Sequence, residues 1–180
     1  MCVIIYKPAG VKMPSVYTLM AAHRANPHGC GFVSSSRSFK GLDFAQFIRN
    51  IARVSDAEPC IIHFRLATHG SIKRTNCHPF KRGGVSFAHN GVLDIDPVGD
   101  RTDSETAFIK YIHPAIKSHG WGSEMVDSVI NTLIGSSKFA LMYHGDVRLY
   151  GQFIHQPDGC HYSNLRFTYF LPRSCNRHAI

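Results

Sequence analysis

Met1-Cys2-Val3-Ile4-Ile5-Tyr6 opens the chain, and the place of its thiol decides how everything downstream is read. Val3 to Tyr6 is a run of strand formers closed by the Pro8-Ala9-Gly10 turn, so Cys2 stands at the mouth of a first strand. Two readings are open. A cysteine in a first strand packs as a small hydrophobe. If Met1 is cleaved, however, one residue carries both a thiol nucleophile and an α-amine, and an α-amine with its ordinary pKa of about 7.7–8.0 suits a general base near neutrality.

Working outward, Ser15 is placed to cap a helix over SVYTLMAAHRAN, and the glycines of GCGFVSS lead into a second strand. Leu42, Phe44, Phe47, Ile48 and Ile51 recur at helical spacing between Gly41 and Arg53, and Pro59 bounds a short apolar strand from Cys60 to Arg65. Further strands are expected at Gly84–His89, Phe139–Tyr143 and Val147–Tyr150, the last two joined by a turn at Gly145-Asp146. Helices are expected over about 104–117 and 124–134, and the tail QPDGCHYSNLRFTYF reads as a final β-hairpin. Strands in hairpin-like pairs with helices grouped in the gaps suit antiparallel sheets covered by helices better than a parallel sheet.

The 180 residues fit a single domain over 1–180, and 44% hydrophobic with 18% charged residues is a globular composition. No internal repeat, low-complexity tract or linker divides it. Six cysteines, widely spaced, lack the density of a secreted disulfide scaffold and read as thiols. The start has neither a basic leader nor a small-residue cleavage site, and no apolar run approaches membrane-spanning length. A cytoplasmic setting without a membrane partner is the expectation. The net charge of +8 attracts anions. Its basic residues are scattered, though, with short clusters at Lys73-Arg74 and Lys81-Arg82 and no stripe interleaved with aromatics. A solvated basic surface is expected ahead of a nucleic-acid site.

Four stretches join Cys2 as candidates for chemistry: HFRLATHG (63–70), NCHPF (76–80), FAHNGVL (87–93) and RTDSE (101–105). They sit at strand ends or helix starts, where a rigid scaffold displays reactive groups. Arg65 offers a planar fork able to hold a carboxylate in two parallel hydrogen bonds, or it is a surface arginine. Asp103, in a first helical turn, either caps that helix or pairs with a substrate ammonium. Asn90-Gly91 is a hairpin turn, or it presents a side-chain amide and a backbone N–H to an oxyanion. His63, His69, His78 and His89 with Cys77 lack the paired spacing of a zinc site, so no metal is expected. A Cys-His catalytic pair would compete with the Cys2 amine as the source of a base.

Taken in order from Cys2 to Glu105, these motifs resemble the class II glutamine amidotransferase domain, a branch of the N-terminal nucleophile (Ntn) hydrolases. The resemblance implies an α+β fold, a four-layer αββα sandwich of two antiparallel sheets. It implies that Cys2 attacks the side-chain amide of glutamine, forms a γ-glutamyl thioester and releases ammonia, with its own α-amine carrying the proton. By the same resemblance Arg65 holds the substrate α-carboxylate, Thr68 and His69 shape the pocket, Asn90 and Gly91 form the oxyanion hole, and Asp103 binds the α-ammonium. No cofactor is required.

The chain also departs from the pattern. In RANPHGCGF (24–32), His28 stands where relatives usually carry an acidic residue, and Leu66 stands where a bulkier neighbour often follows the arginine. Well-known relatives attach this domain to a synthase that consumes the ammonia, whereas DGxxYSN endings occur in compact stand-alone relatives, several of them in bacteria and phages. The expected partners are therefore glutamine or a similar amide, and a separate ammonia-accepting synthase. The alternatives are a hydrolase of a different amide and a catalytically silent Ntn fold that binds a protein or nucleic acid.

Overall fold

The structure is a computed structural model that describes residues 1–67, 70–99 and 101–172. β1 (Val3–Lys7) is buried at Val3, Ile4 and Ile5 and runs inside a sheet. It pairs antiparallel with β4 (Cys60–Phe64) on one side and with β10 (His161–Tyr162) on the other. Outward from β4 come β2 (Cys30–Ser34) and β3 (Ser38–Gly41), and outward from β10 comes β9 (Ile154–His155), giving a six-stranded sheet. The second sheet has four antiparallel strands in chain order, β5 (Phe80–Arg82), β6 (Val85–Asn90), β7 (Lys138–Tyr143) and β8 (Asp146–Tyr150).

Helices cover both outer faces. α1 (Val16–Ala25) and α2 (Phe44–Ile51) begin at caps: the Thr18 N–H donates to Ser15 Oγ, and the Gln46 N–H donates to Asp43 Oδ1. α3 (Asp103–Ala107) runs through a π-helical stretch, Phe108–Ile112, into α4 (His113–His119), and α5 (Glu124–Ile134) follows.

The two-residue period of the strands sorts their side chains into layers. Val3, Ile5, Ile62 and Phe64 pack under Leu19, Ala22, Phe47 and Ile51 of α1 and α2. Ile4, Val33 and Ile61 turn the other way and meet Ala88, Ala140 and Met142 of the second sheet. On the far side Phe87, Phe139 and Leu141 pack against Phe108, Ile112, Val126 and Ile130. The result is a four-layer αββα sandwich whose inner core includes two alanines, Ala88 and Ala140.

Several local expectations need correction. The Asn90-Gly91 pair is no hairpin turn: Asn90 ends β6 opposite Lys138, and the chain leaves through a long loop toward α3. Leu42 precedes the Asp43 cap and is exposed, so it belongs to no apolar helix face. The tail forms its hairpin only over 154–162, and Arg166–Phe170 closes as a 3₁₀ helix that packs Phe167 on the Tyr162 ring. The turn between β7 and β8 falls at His144-Gly145, both at positive φ, and Asp146 already pairs in the ladder.

Candidate active site

β1 delivers Cys2 to one end of the inter-sheet space, where a cavity of about 320 Å³ opens. Cys2, Arg65, Leu66, His89, Gly91 and Asp103 line it. Cys2 is half-buried, whereas Cys30, Cys60, Cys77 and Cys160 are fully buried free thiols. Desolvation pushes the Cys30 and Cys160 thiols up to about 12, which leaves them inert. Burial also raises the Cys2 thiol, and the Leu66 backbone bond opposes it. The Leu66 N–H donates to Cys2 Sγ at 3.3 Å, and the thiol faces the Leu66 carbonyl at 3.6 Å. No imidazole is hydrogen-bonded to Sγ among the described residues, and the Cys2 nitrogen is in peptide linkage to Met1.

Arg65 follows β4 and is almost fully buried, with Nη1 donating to the Ser71 carbonyl at 3.1 Å. Asn76 Nδ2 donates to the same carbonyl at 3.0 Å. Arg65 also lines the cavity. Thr68 and His69, expected to shape this wall, lie outside the described residues, as does Cys175.

Across the cavity stands Asp103. It does not cap its helix, because Thr102 does so by accepting from the Glu105 N–H. Asp103 Oδ2 accepts from the Leu93 N–H at 2.9 Å and Oδ1 from the Ser104 N–H at 2.7 Å. The carboxylate therefore fixes the loop that follows Gly91 while keeping a face on the cavity. Ser104 Oγ also donates to Asp103 Oδ1 and lies 2.7 Å from His89 Nδ1. Those contacts make Nδ1 the protonated nitrogen of His89 and leave Nε2 an acceptor. Burial drives His89 down to about 4, with Asp103 opposing, so the ring is neutral near pH 7.

Gly91 sits at φ +149°, and a Cβ there would lie 2.1 Å from Ser137 Oγ. Only glycine fits such an approach. Asn90 is set back from the cavity wall: its Nδ2 donates to Ser163 Oγ at 2.8 Å and its Oδ1 has no partner among the described residues. Ser163 Oγ also accepts from the Ile4 N–H. Turning the Asn90 amide over lets the Ser163 hydroxyl donate to Oδ1 and leaves both Nδ2 hydrogens without a partner among the described residues.

Ser163 and its neighbour were missed as site residues. Asn164 Nδ2 donates to the Cys2 carbonyl at 2.8 Å, and the Ser163 N–H donates to the Ile4 carbonyl at 2.9 Å. The YSN stretch (162–164) thus clamps the start of the first strand at Cys2, and that triplet was the available signal. Beneath the cavity the His63 and His78 rings lie with centroids 4.3 Å apart and planes tilted by 38°, and His63 Nε2 donates to the His89 carbonyl. No group of three or more His, Cys, Asp or Glu able to hold a metal occurs among the described residues. None of their helices is long and apolar enough to cross a membrane.

A family model described as glutamine amidotransferases class-II matches residues 26–147. The chain belongs to that family. The matched span contains Arg65, Asn90, Gly91 and Asp103, and Cys2 precedes it. Among solved structures the chain is similar to glutamine phosphoribosylpyrophosphate (PRPP) amidotransferase from B. subtilis, complexed with ADP and GMP. The identity is 15% and the TM-score 0.58, over 90% of this chain and 41% of that one, so the likeness is one of fold, an Ntn-hydrolase fold. No curated protein sequence matches.

Proposed function

We propose that the protein hydrolyses the side-chain amide of glutamine, using Cys2 as an N-terminal nucleophile. One observation carries the reading: Cys2, Arg65, Gly91 and Asp103, far apart in sequence, line a single cavity. An α-amino acid needs a cationic fork for its carboxylate and a carboxylate for its ammonium, and Arg65 and Asp103 offer one each. The volume also fits, since pockets for small ligands start at about 300 Å³.

In this reading removal of Met1 frees the α-amine of Cys2, which takes the thiol proton as Sγ attacks the γ-carbonyl carbon. The Gly91 N–H and an Asn90 Nδ2 hydrogen bind the oxygen that becomes negative. Collapse of the tetrahedral species breaks the C–N bond, the amine returns its proton to the departing nitrogen, and ammonia leaves. Water then cleaves the thioester to give glutamate and the free thiol. A desolvated thiol is a poor nucleophile without such help. The chemistry needs no cofactor.

The test is a diazoketone analogue of glutamine, read by intact mass and peptide mapping alongside ammonia release. One adduct on a Cys2 that has become the N-terminus is the expected result. A processed, folded protein that stays unlabelled and releases no ammonia sinks the proposal.

The two charged anchors give a second measurement. Arg65→Lys replaces a fork with a point charge, and Asp103→Asn removes the ammonium's counter-charge. Charge-assisted hydrogen bonds contribute about 1.5–3 kcal/mol, so each change is expected to raise KM for glutamine about 10- to 100-fold. Unchanged KM in both variants would remove the amino-acid pocket from the reading.

A further inference from the structure

His28 precedes β2 and reaches across to the segment that follows β4. Its N–H donates to the Arg65 carbonyl at 2.9 Å, and the Arg65 N–H donates to the Gly29 carbonyl at 2.8 Å. Beyond this pair the Ala67 N–H donates to His28 Nδ1 at 3.0 Å. Leu66 lies between two pinned neighbours, and its own N–H is the one aimed at Cys2 Sγ. A peptide held on both sides cannot turn its N–H without breaking one of the pins.

We propose that His28 is a positioning residue for the nucleophile: its Nδ1 holds the Ala67 N–H and so keeps the Leu66 N–H directed at Cys2 Sγ. The inference rests on reading Cys2 as the nucleophile. It gives a physical reason for an imidazole at this position. Nδ1 of histidine and Oδ1 of aspartate or asparagine are the same number of bonds from Cα, and each accepts a hydrogen bond. His28 thus supplies the acceptor that an acidic residue at this place would supply, with no added negative charge beside a nucleophile that must become a thiolate. Desolvation acts most strongly on this thiol, followed by the Leu66 backbone bond, then the N-terminal ammonium and Arg65. The His28 side chain bears on the second of these, through the loop.

The experiment measures the rate of Cys2 alkylation by iodoacetamide against pH, by peptide mapping, in the full chain with its N-terminus established by intact mass. Peptide mapping separates Cys2 from the buried thiols. His28→Ala is expected to move the Cys2 midpoint upward by roughly half to one pH unit and to lower kcat/KM for glutamine about 3- to 10-fold. His28→Asn, which restores the acceptor without a ring, is expected to return both to near wild type. A midpoint in His28→Ala equal to wild type overturns the proposal, and so does failure of the asparagine to rescue. Because iodoacetamide needs no glutamine site, a shifted and rescued midpoint in a protein without glutaminase activity would keep the positioning role and reject the proposed reaction.

Discussion

On the proposed reaction, Cys2→Ala is expected to lower ammonia release from glutamine by at least about 10³-fold, because covalent catalysis has no substitute once its nucleophile is gone. The fold should be indifferent. The Cys2 side chain is half-buried, its thiol hydrogen-bonds among the described residues only to the Leu66 backbone, and the clamp from Asn164 falls on the Cys2 carbonyl, which alanine keeps. Melting temperature is therefore expected to stay within a few degrees, as for a change of well under about 1 kcal/mol. Cys2→Ser adds a sharper arm, since a hydroxyl matches the geometry but is a far weaker nucleophile at neutral pH. Either variant with near wild-type turnover would move the chemistry to another group, and His89 Nε2, an acceptor in the same cavity, would be the first to examine as a base.

The sequence made the candidate site legible where chemistry is concentrated in short motifs. Cys2, Arg65, Gly91 and Asp103 are each marked by residue type at a strand end or helix start, and the structure brings those four to one cavity. Residues acting through long-range backbone contacts were not legible. Asn164 reaches Cys2 across nearly the whole chain, and Ser163 ties Ile4 to Asn90. No periodicity encodes such a contact. His28 was visible only as an oddity of type, because its effect passes through the Ala67 N–H.

The fold divides similarly. α5 falls on its expected bounds because Val126, Ile130 and Ile134 repeat at four residues and Ser123 caps the start. β3 and β5 were missed: β3 is mostly exposed or half-exposed, and β5 is three residues long with two exposed charges. Neither carries an alternating pattern long enough to read. The 104–117 helix holds a π-helical stretch at Phe108–Ile112, where the extra residue per turn shifts the apolar face and the spacing rule loses its phase.

Lowering the pH from 7 to 4 is expected to unfold the protein, and the histidines beneath the cavity supply the reason. His63, His78 and His89 are buried in the folded chain. Desolvation first of all holds His63 at about 3, His89 at about 4, and His78 well below its ordinary value. In the unfolded chain an imidazole takes its proton near pH 6.5. These are bases whose folded pKa is depressed, so the unfolded state binds more protons in the window below 6.5. The stability they allow is fully present above about pH 6.5 and is lost as pH falls toward 4. Counting His63 and His89 alone, the loss by pH 4 is on the order of 5 kcal/mol, against a total for a domain of about 5–15 kcal/mol. His23, half-buried against the Phe44 ring, is shifted the same way by desolvation. Urea unfolding measured from pH 8 to 4 should give a midpoint that is level above pH 7 and falls below 6.5, with uptake of about three protons near pH 5. His78→Leu separates this cause from general acid sensitivity. Neither ring nitrogen of His78 has a protein partner among the described residues, so an apolar side chain of similar bulk should leave stability at pH 7 unchanged or higher. The same variant should reduce the uptake to about two protons. A midpoint that holds level down to pH 5, or a His78→Leu protein with undiminished proton uptake, would show that the buried imidazoles do not set the acid limit.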